Sequence, residues 1–149
     1  MSPRKPRKPA APKAARRPSG DDALVEAARA ARDRAYAPYS RYHVGAAVRA
    51  DNGKIYRGAN VENASYGLSV CAERNAVAAA VAAGAAAVRA VAVVTPTRPP
   101  GSPCGACRQV LAELGAPRTR VLLASPTGSP QSTTLGKLLP RAFSLRARK

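Results

Sequence analysis

Three cysteines have the type and spacing to do chemistry in this chain. Cys104 and Cys107 lie three residues apart in SPCGACRQVLAEL, and Cys71 lies in SVCAERNAVAAAVAAG. Both segments have the pattern of a helix, with their cysteines near the helix start. The exposed N–H groups of a helix start stabilise thiolates, and residues i and i+3 share one helix face. Convergence of the two helix starts would therefore let all three cysteines bind one metal ion.

The ligand set indicates what kind of metal site this is. Zinc binds cysteine sulfur, and a structural zinc site is normally closed by four protein ligands. This chain contains three cysteines in total. They predict one Zn²⁺ per chain with a fourth position open to water, which is the arrangement of a catalytic site. His43, the single histidine, is predicted to be a structural residue of a strand, because three thiolates already fill the ligand set.

Glu73 is the candidate for the group that moves protons at this site. It lies two residues after Cys71, where its carboxyl group can reach water at the open position without binding the metal. We therefore predict that Glu73 is a general acid and base. Cys71-Ala72-Glu73 and Pro103-Cys104-Gly105-Ala106-Cys107 together match the two halves of the signature of zinc deaminases. A Cys-x-x-Cys pair alone would be weak evidence, whereas the two halves together are specific.

Composition separates a basic N-terminal tail from the rest of the chain. Residues 1–20 hold seven of the 25 basic residues, no acidic residue and many Pro and Ala, so we predict a disordered tail before a folded domain at 21–149. The tail is expected to be a solvated extension; non-specific contact with nucleic acid and organelle targeting are the alternatives. No apolar run is long enough to cross a bilayer and no secretory signal is visible, which predicts a cytoplasmic protein without membrane contact.

The folded part of the chain alternates helix and strand patterns. The pattern first predicts a helix from Asp21 to Pro38, two strands around an Asn52-Gly53 turn and a helix ending at Gly84. A strand VRAVAVVTP follows, and then a helix with Ser102 as N-cap and Gly115 beyond its end. The last predicted elements are a strand TRVLLAS and a short helix LGKLLP. Strands that alternate with helices after an opening hairpin predict an α/β fold. We expect three α/β/α layers, with a mixed central sheet covered by helices on both faces.

Five segments carry a resemblance that is more specific than the zinc motif alone. They are YAPYSRYHVGAAV, GANVENASYG, CAERNA, SPCGACRQVL and LLPRAF. In their order and separations the chain resembles the cytidine deaminases of the small, homotetrameric, free-nucleoside type, from about Ala23 to Phe143. The resemblance implies the cytidine deaminase-like fold and a homotetramer. It also implies hydrolysis of cytidine or 2′-deoxycytidine to uridine or 2′-deoxyuridine, with release of ammonia, in pyrimidine salvage.

The same resemblance implies which residues bind the substrate. Asn60 and Glu62 would form hydrogen bonds with the ribose hydroxyls, Ala72 would contact the substrate, and the ring of Tyr42 would pack against the base. Tyr42 stands where phenylalanine is common in the family, so its hydroxyl group needs a partner of its own.

Two further residues have one functional and one structural interpretation each. By resemblance, Phe143 reaches into the site of a neighbouring chain, with Tyr66 at the same interface; alternatively, Phe143 anchors its own C-terminal helix. Arg74 would donate hydrogen bonds to the thiolates, whose combined charge exceeds that of Zn²⁺. Alternatively, Arg74 is an ordinary arginine of the helix surface.

Three other functions share some of these features. A deaminase of blasticidin S would share CAE and PCGxCRQ, but the NVENASYG segment argues against it. A polynucleotide cytosine deaminase more often uses a histidine ligand. A catalytically idle zinc module that binds nucleic acid through its tail would have no need of Glu73. The sequence therefore favours a free nucleoside as the substrate.

Overall fold

A five-stranded sheet forms the centre of the computed structural model, which describes residues 20–145. The elements in chain order are α1 (Gly20–Arg32), β1 (Gly45–Ala50), β2 (Ile55–Ala59), a 3-10 turn (Tyr66–Leu68), α2 (Ala72–Ala82), β3 (Val88–Val94), α3 (Gly105–Leu114), β4 (Arg120–Ala124), β5 (Gln131–Thr134) and α4 (Leu135–Leu138). The strand order is β2-β1-β3-β4-β5. β3 and β4 are parallel, and the other neighbouring pairs are antiparallel. The mixed sheet confirms the predicted α/β class.

Alternating side chains of the strands build one apolar core on each face of the sheet. In β3, Val91 and Val93 point to the face covered by α2 and α3, whereas Ala90 and Ala92 point to the face covered by α1. The small side chains let α1 approach closely: a Cβ atom built on Gly45 of β1 would lie only 2.1 Å from a backbone oxygen of α1. Helices therefore cover both faces, which confirms the predicted three layers.

The first helix is shorter than the sequence pattern predicts. α1 ends at Arg32, so the expected end at Pro38 is wrong. The chain leaves the helix because Tyr36 forms an isolated β-bridge with Val61. Backbone hydrogen bonds of 2.8 and 2.9 Å join Tyr36 to the two residues that flank Val61, and they require an extended rather than a helical backbone.

At the hairpin and at the end of α3 the structure confirms the predictions, whereas at the start of α3 it corrects one. The hairpin turn is confirmed, with Gly53 at a φ of 78°, and Gly115 caps the end of α3. Ser102 is not the N-cap of α3. That position belongs to Cys104, whose backbone is still extended at φ −65° and ψ 168°. β5 (Gln131–Thr134) was not predicted, because its four residues are all polar.

The predicted tail lies outside the described residues, apart from Gly20, with which α1 begins. The division of the chain into tail and domain therefore stays a prediction. Between residues 20 and 145, no helix combines the length and the apolar character needed to span a membrane.

Candidate active site

Two helix starts bring the three cysteines together. Cys71 is the N-cap of α2, Cys104 is the N-cap of α3, and Cys107 lies in the first turn of α3. Both helices pack on the same face of the sheet, where Ala76 of α2 and Leu111 of α3 belong to one apolar core. The three Sγ atoms lie within 4.8 Å of one another, and those of Cys71 and Cys104 are 3.9 Å apart.

The spacing of these sulfur atoms fits a zinc ion. With Zn–S bonds of about 2.3 Å, tetrahedral geometry places two sulfur ligands about 3.8 Å apart. The distance between Cys71 and Cys104 matches this value, and all three cysteines are free thiols. Within residues 20–145, the group contains no fourth protein ligand, and His43 is not a member. The cluster therefore suits one zinc ion per chain and leaves one position for a ligand that is not part of the protein.

Cys71 and Cys107 differ in the pKa of their thiol groups. A hydrogen bond from the Cys107 thiol, and a weaker one from the Arg74 guanidinium, lower the pKa of Cys71 to about 5. The same pairing, together with burial, raises the pKa of Cys107. Arg74 Nη2 lies 3.8 Å from Cys71 Sγ and 3.1 Å from Ser69 O. Arg74 therefore lies where it can donate the predicted hydrogen bond to a thiolate.

Glu73 is the buried carboxyl group of the site. It lies in the first turn of α2, and only 5% of the residue is exposed. Burial raises the pKa of Glu73, and the charge of the neighbouring Cys71 acts in the same direction. A carboxyl group with a raised pKa is suited to both accepting and donating a proton.

A cavity of about 420 Å³ connects Cys71 and Cys104 with other predicted site residues, whereas Cys107 is fully buried behind its wall. The predicted residues that line it are Tyr42, Asn60, Glu62, Cys71, Ala72, Glu73 and Cys104. Its wall also contains six residues that the sequence analysis did not assign to the site: Ser40, Val44, Val93, Thr95, Gly101 and Ser102. Ser40 belongs to the PYSR motif and could have been found from it. Val44 and Ser102 likewise lie in the YAPYSRYHVGAAV and SPCGACRQVL segments. Val93, Thr95 and Gly101 carry no signal of their own, because only the folded chain brings them to the cavity.

Asn60 is held by two hydrogen bonds to the segment before β1. Its Oδ1 accepts from Val44 N at 2.8 Å, and its Nδ2 donates to Tyr42 O at 2.8 Å. A primary amide has two N–H groups, so one N–H of Asn60 remains for a ligand.

Tyr39 and Ser40 hold the side chain of Glu62 by hydrogen bonds. Its carboxylate accepts hydrogen bonds from Tyr39 N at 2.9 Å, from Ser40 N at 3.2 Å and from the Ser40 hydroxyl. The bond from the Ser40 hydroxyl is the main reason why the pKa of Glu62 is lowered. The carboxylate therefore stays charged, and with three of about four acceptor positions used it can accept one more hydrogen bond.

The hydroxyl group of Tyr42 has the partner that the sequence analysis required. It lies 3.5 Å from Thr97 Oγ1, which lies 3.2 Å from Thr95 Oγ1. Thr95 Oγ1 in turn accepts a hydrogen bond from Gly101 N at 2.7 Å. The chain of hydroxyls thus connects the aromatic wall of the cavity to the loop that leads to the N-cap of α3.

Phe143 lies apart from the cavity of its own chain. It is 68% exposed and does not belong to the residues that line the cavity. A second cavity, of about 440 Å³, shares Ser40, Asn60, Glu62 and Cys71 with the first and adds the side chains of Tyr39 and Tyr66. Tyr66 is 76% exposed. Aromatic side chains beside the site are therefore uncovered in the described part of a single chain.

Comparisons with known proteins agree with this geometry. The family model described as "Cytidine and deoxycytidylate deaminase zinc-binding region" matches residues 18–123. The cytidine deaminase of Halalkalibacterium halodurans is 51% identical over 120 residues, which are 80% of this chain and 91% of that protein.

Solved structures give the same result. The crystal structure of cytidine deaminase from Burkholderia pseudomallei is 54% identical, with a TM-score of 0.77 over 81% of this chain and 97% of that one. The structure of the Mycobacterium tuberculosis cytidine deaminase is 41% identical, with a TM-score of 0.72 over 83% of this chain and 97% of that one. The family model spans most of the chain, and these relatives are 41–54% identical to it. Together with the cysteine cluster, these matches show that the chain belongs to the cytidine and deoxycytidylate deaminase family.

Proposed function

We propose that this protein is a zinc-dependent cytidine deaminase, which hydrolyses cytidine and 2′-deoxycytidine to uridine and 2′-deoxyuridine with release of ammonia, as a step of pyrimidine salvage. The observation that carries the proposal is the position of Glu73, a buried carboxyl group on the wall of the cavity that Cys71 and Cys104 also line. Asn60 and Glu62 line the same cavity. The reaction needs a metal centre, a group that moves protons and polar groups that hold a sugar, and these residues supply all three.

Glu73 moves the protons of the reaction. Cys71, Cys104 and Cys107 would hold the zinc ion, which would supply the Lewis acidity that makes water a nucleophile near neutral pH. Glu73 accepts a proton from water while the water oxygen bonds to C4 of cytosine, and it gives that proton to N3. Glu73 then transfers the remaining proton of the added oxygen to the amino group, so that the C4–N bond breaks and ammonia leaves with the electron pair. Cytidine and water thus give uridine and ammonia.

Four residues of the cavity would position the nucleoside. The free N–H of Asn60 and the remaining acceptor position of Glu62 give a donor and an acceptor for ribose hydroxyls. The ring of Tyr42 offers an apolar surface to the base, and the small side chain of Ala72, which is fully buried, leaves room for the base. The cavity volume of about 420 Å³ is in the range of small-molecule sites.

The substitution Glu73→Gln tests the proposal. Because the carboxyl group is not a metal ligand, we expect the variant to keep about one zinc per chain while kcat falls by about 100-fold to 10,000-fold. The matched control is Glu26→Gln, which alters an exposed carboxyl group of α1 and is expected to leave kcat unchanged. Absorbance follows the conversion of free cytidine, and mass spectrometry counts zinc. A near-normal rate for Glu73→Gln would mean that another group carries the proton.

The same assay separates the alternative functions. We expect product from free cytidine and 2′-deoxycytidine, and none from blasticidin S or from cytosine in single-stranded DNA. Product from blasticidin S or from DNA alone would assign the site to that substrate. A catalytically idle zinc module would give no product from any of them.

The proposal includes a homotetramer whose active sites are completed by neighbouring chains. Its support is the exposure of Tyr66 beside the site of its own chain and the exposure of Phe143 away from that site. In closed symmetry each chain can both give and receive the same contact. Glu73→Ala and Phe143→Ala chains are each expected to be nearly inactive, whereas hybrids of the two should regain activity. Verified hybrids that stay inactive, or a fully active monomer, would rule out the shared site.

The basic tail and the location of the protein complete the proposal. The seven positive charges of residues 1–20 support non-specific contact with nucleic acid. Deletion of residues 1–19, which ends just before α1, should leave cytidine turnover unchanged and weaken binding to DNA at low salt. If the deletion stopped turnover, the tail would be part of the active site. Three free thiols at a metal site agree with the reducing conditions of the cytoplasm.

A further inference from the structure

The side chain of Gln109 binds both backbone groups of Phe143. Its Nε2 donates to Phe143 O at 2.9 Å, and its Oε1 accepts from Phe143 N at 3.2 Å. A side-chain amide that bonds to the backbone N–H and C=O of one residue pairs with it as a neighbouring β-strand does. Such a pair fixes the position and the direction of the backbone of that residue. Gln109 lies in α3, two residues after Cys107.

These bonds hold a segment that has no regular structure of its own. Residues 139–145 follow α4 and form neither helix nor strand. The neighbouring Arg108 donates to Leu138 O at 2.8 Å, just before this segment. It also donates to Pro103 O and to the Ser102 hydroxyl, both at 2.7 Å. Two adjacent side chains of α3 thus fix the C-terminal segment, and one of them also binds the loop before α3.

Phe143 combines a fixed backbone with an uncovered side chain. It is 68% exposed, although phenylalanine is among the residues most often buried. The bonds from Gln109 therefore do not bury Phe143 in its own chain; they fix its backbone at a position where the ring stays exposed. Fixing a contact residue before association reduces the conformational entropy that is lost when it enters a partner's pocket.

We propose that Gln109 is a positioning residue, which presents Phe143 to the active site of the neighbouring chain. This inference rests on the shared site of the proposed function. Gln109 then serves the active site of the neighbouring chain, whereas Cys107, two residues before it, belongs to the active site of its own chain. Loss of its two hydrogen bonds should lower kcat/KM by about 5-fold to 100-fold. The loss should come mainly from a higher KM, with zinc content unchanged.

The test begins with Gln109→Met, which keeps the length of the side chain and removes both hydrogen bonds. The matched control is Gln131→Met in β5, where the glutamine is exposed and distant from the site in the sheet order. We expect Gln109→Met to raise KM with about one zinc per chain, and Gln131→Met to behave as the unaltered protein. Kinetics within twofold of the unaltered protein, or loss of zinc, in Gln109→Met would overturn the inference.

Hybrid tetramers then show on which chain Gln109 acts. When Gln109→Met and Glu73→Ala chains are mixed equally, about one quarter of the sites combine an intact Glu73 with a correctly held Phe143 from the other chain. Measured as kcat/KM at low cytidine, the activity of the mixture should therefore reach at least about one quarter of that of the unaltered protein, which exceeds the activity of either variant alone. Hybrids of Gln109→Met with Phe143→Ala should show no such rise, because neither chain presents Phe143 correctly.

The hybrid of Glu73→Ala with Phe143→Ala is the reference for these mixtures. If this hybrid regains activity and the Gln109→Met hybrid with Glu73→Ala does not, Gln109 acts within its own chain and the inference is wrong, while the shared site stands. If neither hybrid regains activity, the shared site is wrong and the inference is wrong with it.

Discussion

Gly58 of β2 determines how closely α2 can approach the sheet. A Cβ atom at this position would lie 2.3 Å from Ala76 N and 2.4 Å from Ala72 O, and both are backbone atoms of α2. Ordinary van der Waals contact begins at 3.4 Å. A single added methyl group would therefore force α2 and β2 apart by about 1 Å, because neither backbone can rotate away as a side chain could.

A shift of about 1 Å in α2 would change the distances between the ligands of the zinc site. Cys71 and Glu73 move with α2, whereas Cys104 and Cys107 stay with α3. Metal–ligand distances are held to within about 0.2 Å, and a displacement of about 1 Å in a catalytic group lowers the rate by about 100-fold. We expect Gly58→Ala to contain much less than one zinc per chain and to lose about 100-fold in kcat/KM.

Two other glycines separate damage at the site from loss of stability. Gly45→Ala would place its Cβ 2.1 Å from Ala28 O and 2.4 Å from Arg32 N, so it forces α1 outward on the opposite face of the sheet. Gly45→Ala and Gly58→Ala should each lower the free energy of unfolding by about 1–3 kcal/mol. Gly45→Ala should nevertheless keep its zinc. Gly67→Ala meets no atom within 4 Å and should change stability by less than about 0.5 kcal/mol.

The three variants are compared by zinc content, by the rate of cytidine conversion and by thermal unfolding. The expected pattern is loss of zinc in Gly58→Ala alone. If Gly58→Ala keeps one zinc per chain and activity within threefold of the unaltered protein, the packing argument is wrong. If Gly45→Ala also loses its zinc, general instability explains the result better than the position of α2.

Three further predictions concern the cavity wall and the metal. Tyr42→Phe should change kcat/KM by less than about threefold, because the bond that it removes is long, at 3.5 Å to Thr97 Oγ1; a larger loss would give the hydroxyl a direct role in binding. Thr95→Val leaves Gly101 N without its acceptor at 2.7 Å and should lower the free energy of unfolding by about 1–3 kcal/mol, measured by denaturant titration. Removal of zinc with a chelator should stop turnover and lower Tm, and both should recover with Zn²⁺ but not with Mg²⁺, because Mg²⁺ prefers oxygen ligands.

The cysteine cluster was the part of the site that the sequence predicted best. Cys104 and Cys107 are local neighbours, so helical geometry alone places them on one face. The arrival of Cys71 beside them depends on a long-range contact, which the combined deaminase signature indicated and periodicity alone could not. The segment VRAVAVVTP was likewise predicted to be a strand. It forms β3, in which every residue except Arg89 is buried.

The features that sequence analysis missed depend on contacts between distant segments. The early end of α1 follows from the bridge between Tyr36 and Val61, which no local pattern reveals. β5 contains only polar residues, and its pairing with β4 makes it a strand. Gln109 has the appearance of an ordinary helix-surface residue, because its partner Phe143 lies 34 positions away.

The convergence of two helix starts on the cysteines also affects the charge of the site. Three thiolates with one Zn²⁺ carry one net negative charge. Each helix start carries about half a positive elementary charge, so α2 and α3 together offset about one negative charge through their backbones. Arg74, with Nη2 3.8 Å from Cys71 Sγ, adds a positive charge from its side chain. Three anionic ligands therefore suit this fold, whereas one neutral ligand in place of a thiolate would leave these positive charges without an anionic counterpart.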